Sequence, residues 1–156
     1  MNAPIRRLPS IGDHGQEDFA AGSILLGYPW PDWVGEEHFI QRGPRLIFQA
    51  ARELGRRACL PTIVSVLRAE GNLFTNPEGQ LRDRHSKPHM LNSIELVDLM
   101  NQADWMMRQG WAVDWERLAE RAKARKLADA MRRVLIQLEG EMVFDEAKAM
   151  LTEVLR

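Results

Sequence analysis

Apolar residues recur every three or four positions along most of this chain, and no segment shows the apolar–polar alternation of a half-buried strand. Leu46, Ile47, Ala50, Ala51 and Leu54 fall on one helical face, with Arg45, Gln49, Arg52, Glu53, Arg56 and Arg57 largely on the other. Gly43 and Pro44 open that helix, and Pro61 marks a break after it. A further helix is predicted over 62–70, with Ile63, Val66 and Leu67 inward and Gly71 as its stop. Upstream, a short helix over 17–26 ends at Gly27. The segment YPWPDWVG follows it as a rigid apolar loop or single turn, which Pro31 can open. Downstream, Ser93 is an N-cap for a helix over 93–109 that Gly110 closes.

Two helices finish the chain. Asp114 is an N-cap candidate, with Val113 and Leu118 at hydrophobic-staple spacing. The helix it opens runs to 139 and breaks at Gly140. Its later seam is Leu127, Met131, Val134 and Leu138, spaced four-three-four, and Phe144, Ala147, Leu151 and Val154 form a matching seam in the last helix. Two such seams joined by a tight turn describe an antiparallel helical hairpin. The fold class is therefore all-α, without internal repeats. A flexible arm over 1–16, with Pro4, Pro9, Gly12 and Gly15, precedes a compact multi-helix head over 17–112 and a hairpin over 113–156. Residues 74–89, rich in turn formers and charge, read as a surface loop.

Composition narrows the function. The chain has 156 residues, 45% hydrophobic and 28% charged, which is globular rather than disordered. Its 21 basic and 22 acidic side chains leave a net charge of -1, with no surplus of cations to displace counterions from nucleic acid. Nucleic acid is thus expected only as a weak or indirect partner. The single cysteine, Cys59, excludes an intrachain disulfide and reads as a small core side chain in a reducing compartment. The N-terminus lacks the apolar run of a signal peptide, and no stretch approaches the ~20 apolar residues of a membrane span. A soluble cytoplasmic protein with no membrane partner is expected.

Catalytic signatures are missing. There is no G-x-x-x-x-G-K-[ST] to cradle nucleotide phosphates. His85 and His89, with Asp83 nearby, are the one metal-like cluster, but Pro88 disfavours the helix that would align them. The pairs Glu36-Glu37 and Glu17-Asp18 read as solvated helix ends. The expectation is a non-enzymatic protein without metal or cofactor. Trp105, Trp111 and Trp115 bracket a helix junction and are expected to fill the core between head and hairpin, whereas Trp30 and Trp33 sit in a proline-rich loop and are less easily hidden. The basic run Arg117, Arg121, Lys123, Arg125, Lys126, Arg132 and Arg133 is interleaved with Glu116, Glu120 and Asp129, which suits a solvated mixed-charge face or a docking face.

The order of residues from Phe39 to Leu73 is distinctive. Phe39, Arg42, Arg45, Leu46, Ile47 and Phe48 are followed by Leu54, by Thr62, Ile63 and Leu67, and by Gly71 and Leu73. This stretch resembles the N-terminal domain of DnaB-type replicative DNA helicases. Leu8-Pro9, Glu17, Gly22, Ile24 and Leu25 before it, and Arg125, Lys126 and Leu127 before the Gly140 turn, look similar in kind. The chain departs from the family at Pro44, where His is usual, and at Cys59, where Asp is usual, and residues 74–112 do not follow the pattern.

The resemblance implies a six-helix-type head plus hairpin, self-association as a dimer or higher oligomer, and docking to a primase. Because the ATP-driven motor is absent, the expected function is a stand-alone interaction module. Its expected partner is a replicative helicase, a primase or a helicase loader, as a plasmid or phage would need. The expected contact residues are Arg125, Arg132, Arg133 and Leu135 on the hairpin and Trp30 and Trp33 on the head. The alternatives are a helical nucleic-acid-binding regulator and a helical accessory domain of a nucleotidyltransferase-like enzyme.

Overall fold

The computed structural model describes residues 6–7, 13–74, 90–141 and 143–156. Among them the fold is all-α, with six α-helices: α1 Asp13–Leu25, α2 Arg42–Leu54, α3 Leu60–Ala69, α4 Ser93–Arg108, α5 Trp115–Leu138 and α6 Phe144–Leu155. Two short 3-10 turns, Glu36–His38 and Gly55–Arg57, flank α2. The chain divides into two compact units, a head through Leu118 and a C-terminal unit from Ala119 onward. The first turn of α5 thus belongs to the head.

α1 is the centre of the head. Phe19, Ala20, Ala21, Ile24 and Leu25 are almost completely buried, and so are the polar Gln16 and Glu17. A helix buried on nearly every side is what a run such as FAAGSIL produces. α1 packs most extensively on α4 and also on α2, which in turn packs on α3. Small residues permit the first contact: a Cβ on Gly22 would stand 2.6 Å from the Ala103 Cβ and against the Leu99 carbonyl. From α2 come Leu46, Ile47, Phe48, Ala50 and Ala51, the apolar face expected from the spacing. Phe48 stacks on Phe39 at 5.1 Å, and Trp30 meets Phe48 edge-on at 5.8 Å, so an aromatic trio fills the space beside α2.

Two buried polar side chains tie α1 to helix starts. The Glu17 carboxylate accepts from the backbone N–H of Ile40 and, at 3.1 Å, from that of Gln41, which caps α2. The Gln16 carbonyl oxygen accepts from the Asp114 N–H at 3.4 Å, just ahead of α5. Arg45 reaches back to donate twice to the Phe39 carbonyl, at 2.7 and 3.1 Å. Glu17, read as a solvated helix end, is therefore an internal anchor. Burial of its carboxylate is tolerable because backbone donors replace water.

Helix ends mostly follow the local chemistry. Gly27 and Gly71 adopt φ of +87° and +71°. Each closes a paired bond pattern: Tyr28 N–H to Ser23 O with Gly27 N–H to Ile24 O, and Asn72 N–H to Leu67 O with Gly71 N–H to Arg68 O. Asp114 Oδ1 accepts from the Arg117 N–H at 3.1 Å, and both Val113 and Leu118 join the head core, as staple partners should. The cap of α4 is Asn92 rather than Ser93. Its side chain accepts from Glu95 N–H at 2.8 Å while Glu95 answers with the Asn92 N–H at 3.3 Å. α1 begins four residues before the expected 17 because Gly15 sits within its first turn rather than outside it.

Three expectations need correction. The first sixteen residues are not all an arm: Arg6–Arg7 pairs in parallel with Trp111–Ala112, and 13–16 belong to α1. Two-residue strands are too short for alternation to reveal, which is why no strand was expected. Cys59 is not a core filler; it is half-buried at the N-cap of α3. Trp105 is not in a core either: it is 61% exposed, while Trp111 and Trp115 do pack against buried residues of the head. The loop expected at 74–89 falls outside the described residues from 75 onward, and with it His85, His89 and Asp83. Its ends are joined: Phe74 N–H donates to Leu91 O at 2.9 Å, and Leu91 N–H to Asn72 O at 3.0 Å. No helix among the described residues is long and apolar enough to cross a membrane.

Candidate partner-binding surfaces

The C-terminal unit shows its apolar side chains to solvent. On α5, Ala124, Ala128, Met131, Leu135 and Leu138 recur at four-three-four-three spacing and so share one stripe. Met131, Leu135 and Leu138 are 49%, 60% and 44% exposed. The buried residues are instead Ala122, Ala130 and Val134, with Leu127 half-buried. The expected seam therefore splits: Val134 goes in, whereas Met131 and Leu138 stay out. On α6, Ala147 is buried and Leu151 half-buried, but Phe144 is 75% exposed.

The candidate cations do not all share that stripe. At 100° per residue, Arg121, Arg125 and Arg132 form a ridge along one flank of the Met131–Leu135 line. Arg132 donates to Asp129 at 2.6 Å, with both side chains in solvent. Arg125 is half-buried. Arg133, two positions before Leu135, projects from a face about 160° away from it. The ridge and stripe thus bring together Leu135, Arg125 and Arg132 but leave Arg133 outside.

The two loop tryptophans differ as well. Trp30 packs against the head core through Phe48, whereas Trp33 is 51% exposed and meets the His38 ring edge-on at 5.8 Å. His38 is fixed by accepting from the Gly35 N–H through Nδ1 at 2.9 Å, which leaves its proton on Nε2.

A second exposed apolar face lies on α4 and was missed from sequence. Ile94, Val97 and Trp105 are 67%, 41% and 61% exposed. Asp98 lies between them on the same side, and Glu95 borders it. Helical phase is the signal that would have found it, because Leu96, Ala103 and Met106, the buried set, occupy the opposite side. Next to this face, an open cleft of about 420 Å³ lies between the start of α2 and α4, lined by Asp18, Gln41, Arg42, Leu91, Asp98 and Gln102 among others. Its carboxylates are partly spoken for, since Glu95 caps α4 and Asp18 accepts from Gln41 Nε2 at 3.2 Å.

Cys59 is the remaining group of chemical interest. The Thr62 hydroxyl, 3.4 Å from Sγ, and then the Thr62 backbone N–H hold the thiol below its ordinary pKa, against a smaller opposing effect of burial. The hydroxyl has one hydrogen, and the Arg57 carbonyl at 2.7 Å competes for it. No base or second nucleophile adjoins the thiol in the hydrogen-bond pattern of the described residues. Among those residues, no group of three His, Cys, Asp or Glu side chains is placed to hold a metal ion.

Comparison of the chain with protein-family models, with curated proteins and with solved structures finds no match in any of the three. The likeness to the helicase domain therefore rests on the order of residues in the chain itself, which is strong only from Phe39 to Leu73.

Proposed function

We propose that this chain is a non-enzymatic interaction module of DNA replication that binds a replicative helicase, a primase or a helicase loader. The observation that carries the interaction half of this reading is the C-terminal unit. Large apolar side chains, among them Leu135, Ile136, Phe144 and Leu155 at 60–75% exposure, stand in solvent there. Exposed large apolar side chains with arginines nearby suit a docking site, in which arginine and large apolar anchors supply most of the energy. The replication half follows from the helicase-like order of residues in α2 and α3.

Size-exclusion chromatography with light scattering tests both halves, using the chain mixed with the replicative helicase and with the primase of its host. A shared peak that Leu135→Asp abolishes supports the reading. Absence of a complex with either at tens of micromolar, in the ordinary range of weak specific association, removes the replication assignment.

A further inference from the structure

The end of α5, the turn after it and the start of α6 carry a charge pattern unlike the rest of the C-terminal unit. Between Arg133 and Lys148 the chain has four acidic side chains, Glu139, Glu141, Asp145 and Glu146, and no basic one. All four are exposed, and among the described residues none is held through its side chain by a hydrogen bond or an ion pair. Elsewhere on α5 acids are matched to cations, as Glu120 is to Lys123 and Asp129 to Arg132. Ile136, Val143 and Phe144, each more than half exposed, share the same short stretch.

Helix stability accounts for only half of these carboxylates. Asp145 and Glu146 lie in the first turn of α6, where the helix dipole favours acids. Glu139 and Glu141 follow the C-terminal end of α5, where the dipole disfavours them, and the last turn of α5 holds no basic residue to offset this. The cost is local and electrostatic, and a bound cation would remove it. A place for one is present: an open hollow of about 560 Å³ at this junction is lined by Gln137, Gly140, Glu141 and Glu146. Two carboxylates, a carboxamide and the negative end of a 24-residue helix thus converge on it. Of the nearest cations, Arg133 stands one turn back on α5 and Lys148 is about 200° round α6 from Glu146; neither pairs with these carboxylates.

We infer that this tip seats a basic amphipathic segment of a different protein. An arginine or lysine of that segment enters the hollow between Glu141 and Glu146, and its apolar neighbours rest on Ile136, Val143 and Phe144. A cation so placed makes charge-assisted hydrogen bonds to both carboxylates. The apolar contacts add burial that a free ion lacks. An acidic segment is refused, because it would meet four unpaired like charges. The inference rests on the reading of the C-terminal unit as a docking surface and adds the chemistry of the partner. This chain does not itself display the matching segment, since the α5 cations beside its own apolar stripe, Arg121, Arg125 and Arg132, are already engaged.

Fluorescence anisotropy with a labelled amphipathic peptide of arginine and leucine tests it on the whole chain. Binding is expected with a Kd of about 1–100 µM, weakening as salt rises. Glu141→Gln combined with Glu146→Gln should weaken it about tenfold or more, and Phe144→Ser should do the same. All three positions are exposed, so circular dichroism of these variants should match the wild type. Glu53→Gln combined with Glu70→Gln, at two exposed carboxylates of the head, should leave binding unchanged. The inference is overturned if the peptide does not bind at about 200 µM, or if the tip variants bind it as the wild type does. It is equally overturned if the head variant weakens binding as much as the tip variants, or if a peptide with serine in place of leucine binds as tightly, which is counter-ion attraction alone. If light scattering shows the chain alone to be an oligomer that the tip variants dissociate, the occupant is a second copy and the inference again falls. A failed helicase or primase complex leaves this titration standing, so the two readings fail separately.

Discussion

The head buries phenylalanine and isoleucine where the C-terminal unit buries alanine. Phe19, Phe39, Phe48, Ile24, Ile47 and Ile63 are almost wholly removed from solvent in the head. Beyond Leu118 the buried residues among those described are Ala122, Ala130, Val134 and Ala147, while Leu135, Ile136, Phe144 and Leu155 remain outside. Both regions are written in the same helical period, so periodicity alone does not explain the difference. Fully burying a large apolar side chain contributes about 1.5–3 kcal/mol, and an alanine contributes far less. The head can therefore stand on its own packing. The C-terminal unit rests more on good helix formers and on exposed pairs such as Lys123–Glu120, worth a few tenths of a kcal/mol each. Its larger side chains stand in solvent.

This contrast can be broken in graded steps. The largest expected effect is in the aromatic trio: Phe48→Ala should cost about 3–5 kcal/mol and unfold much of the head, read as a drop in the denaturation midpoint. If it costs no more than a surface change, the head core is not what holds the molecule. Gly22→Ala should come next, at about 1–3 kcal/mol, because the new methyl meets the Leu99 carbonyl and the Ala103 Cβ at the α1–α4 contact. A neutral result in thermal melts would mean that α1 and α4 can part freely. Cys59→Asp should act in the opposite direction, stabilising by about 0.5–1 kcal/mol, because aspartate accepts from the first N–H groups of α3 and suits the positive end of its dipole. The smallest effect is expected at Leu135→Asp, within about 0.5 kcal/mol of wild type in the isolated chain, since the side chain is already 60% exposed. A large loss there would show that the stripe is internal rather than displayed. Hydrogen exchange sharpens the same comparison: amides of α6 should exchange well before those of α2.

Much of the head was legible because its signals are local. Gly27, Gly71 and Gly110 stop their helices where spacing placed them, all with positive φ. Asp114 opens α5 with its side chain, as its place before an apolar-periodic run implied. Two of the misses share a physical cause, dependence on a neighbour distant in sequence. Glu17 is an anchor only because Ile40 and Gln41 bring their N–H groups to it. Arg6–Arg7 is a strand only beside Trp111–Ala112. Trp105 is the exception: it brackets a helix junction with Trp111 and Trp115 in sequence, but its local phase with Asp98 sets it outside. For the candidate surface, the arginines and Leu135 could be chosen from sequence, but not which arginine shares the face of Leu135. Phase along α5 separates Arg132 from Arg133, and the burial of Val134 fixes that phase.

The bonds that join Asn72 and Phe74 to Leu91 have a structural corollary. The two ends of the intervening segment are clasped by backbone groups of the head itself, so its length is not what holds them together. The same bonds fix where α4 enters the head: Leu91 is held beside the turn that follows α3, directly before Asn92 caps α4.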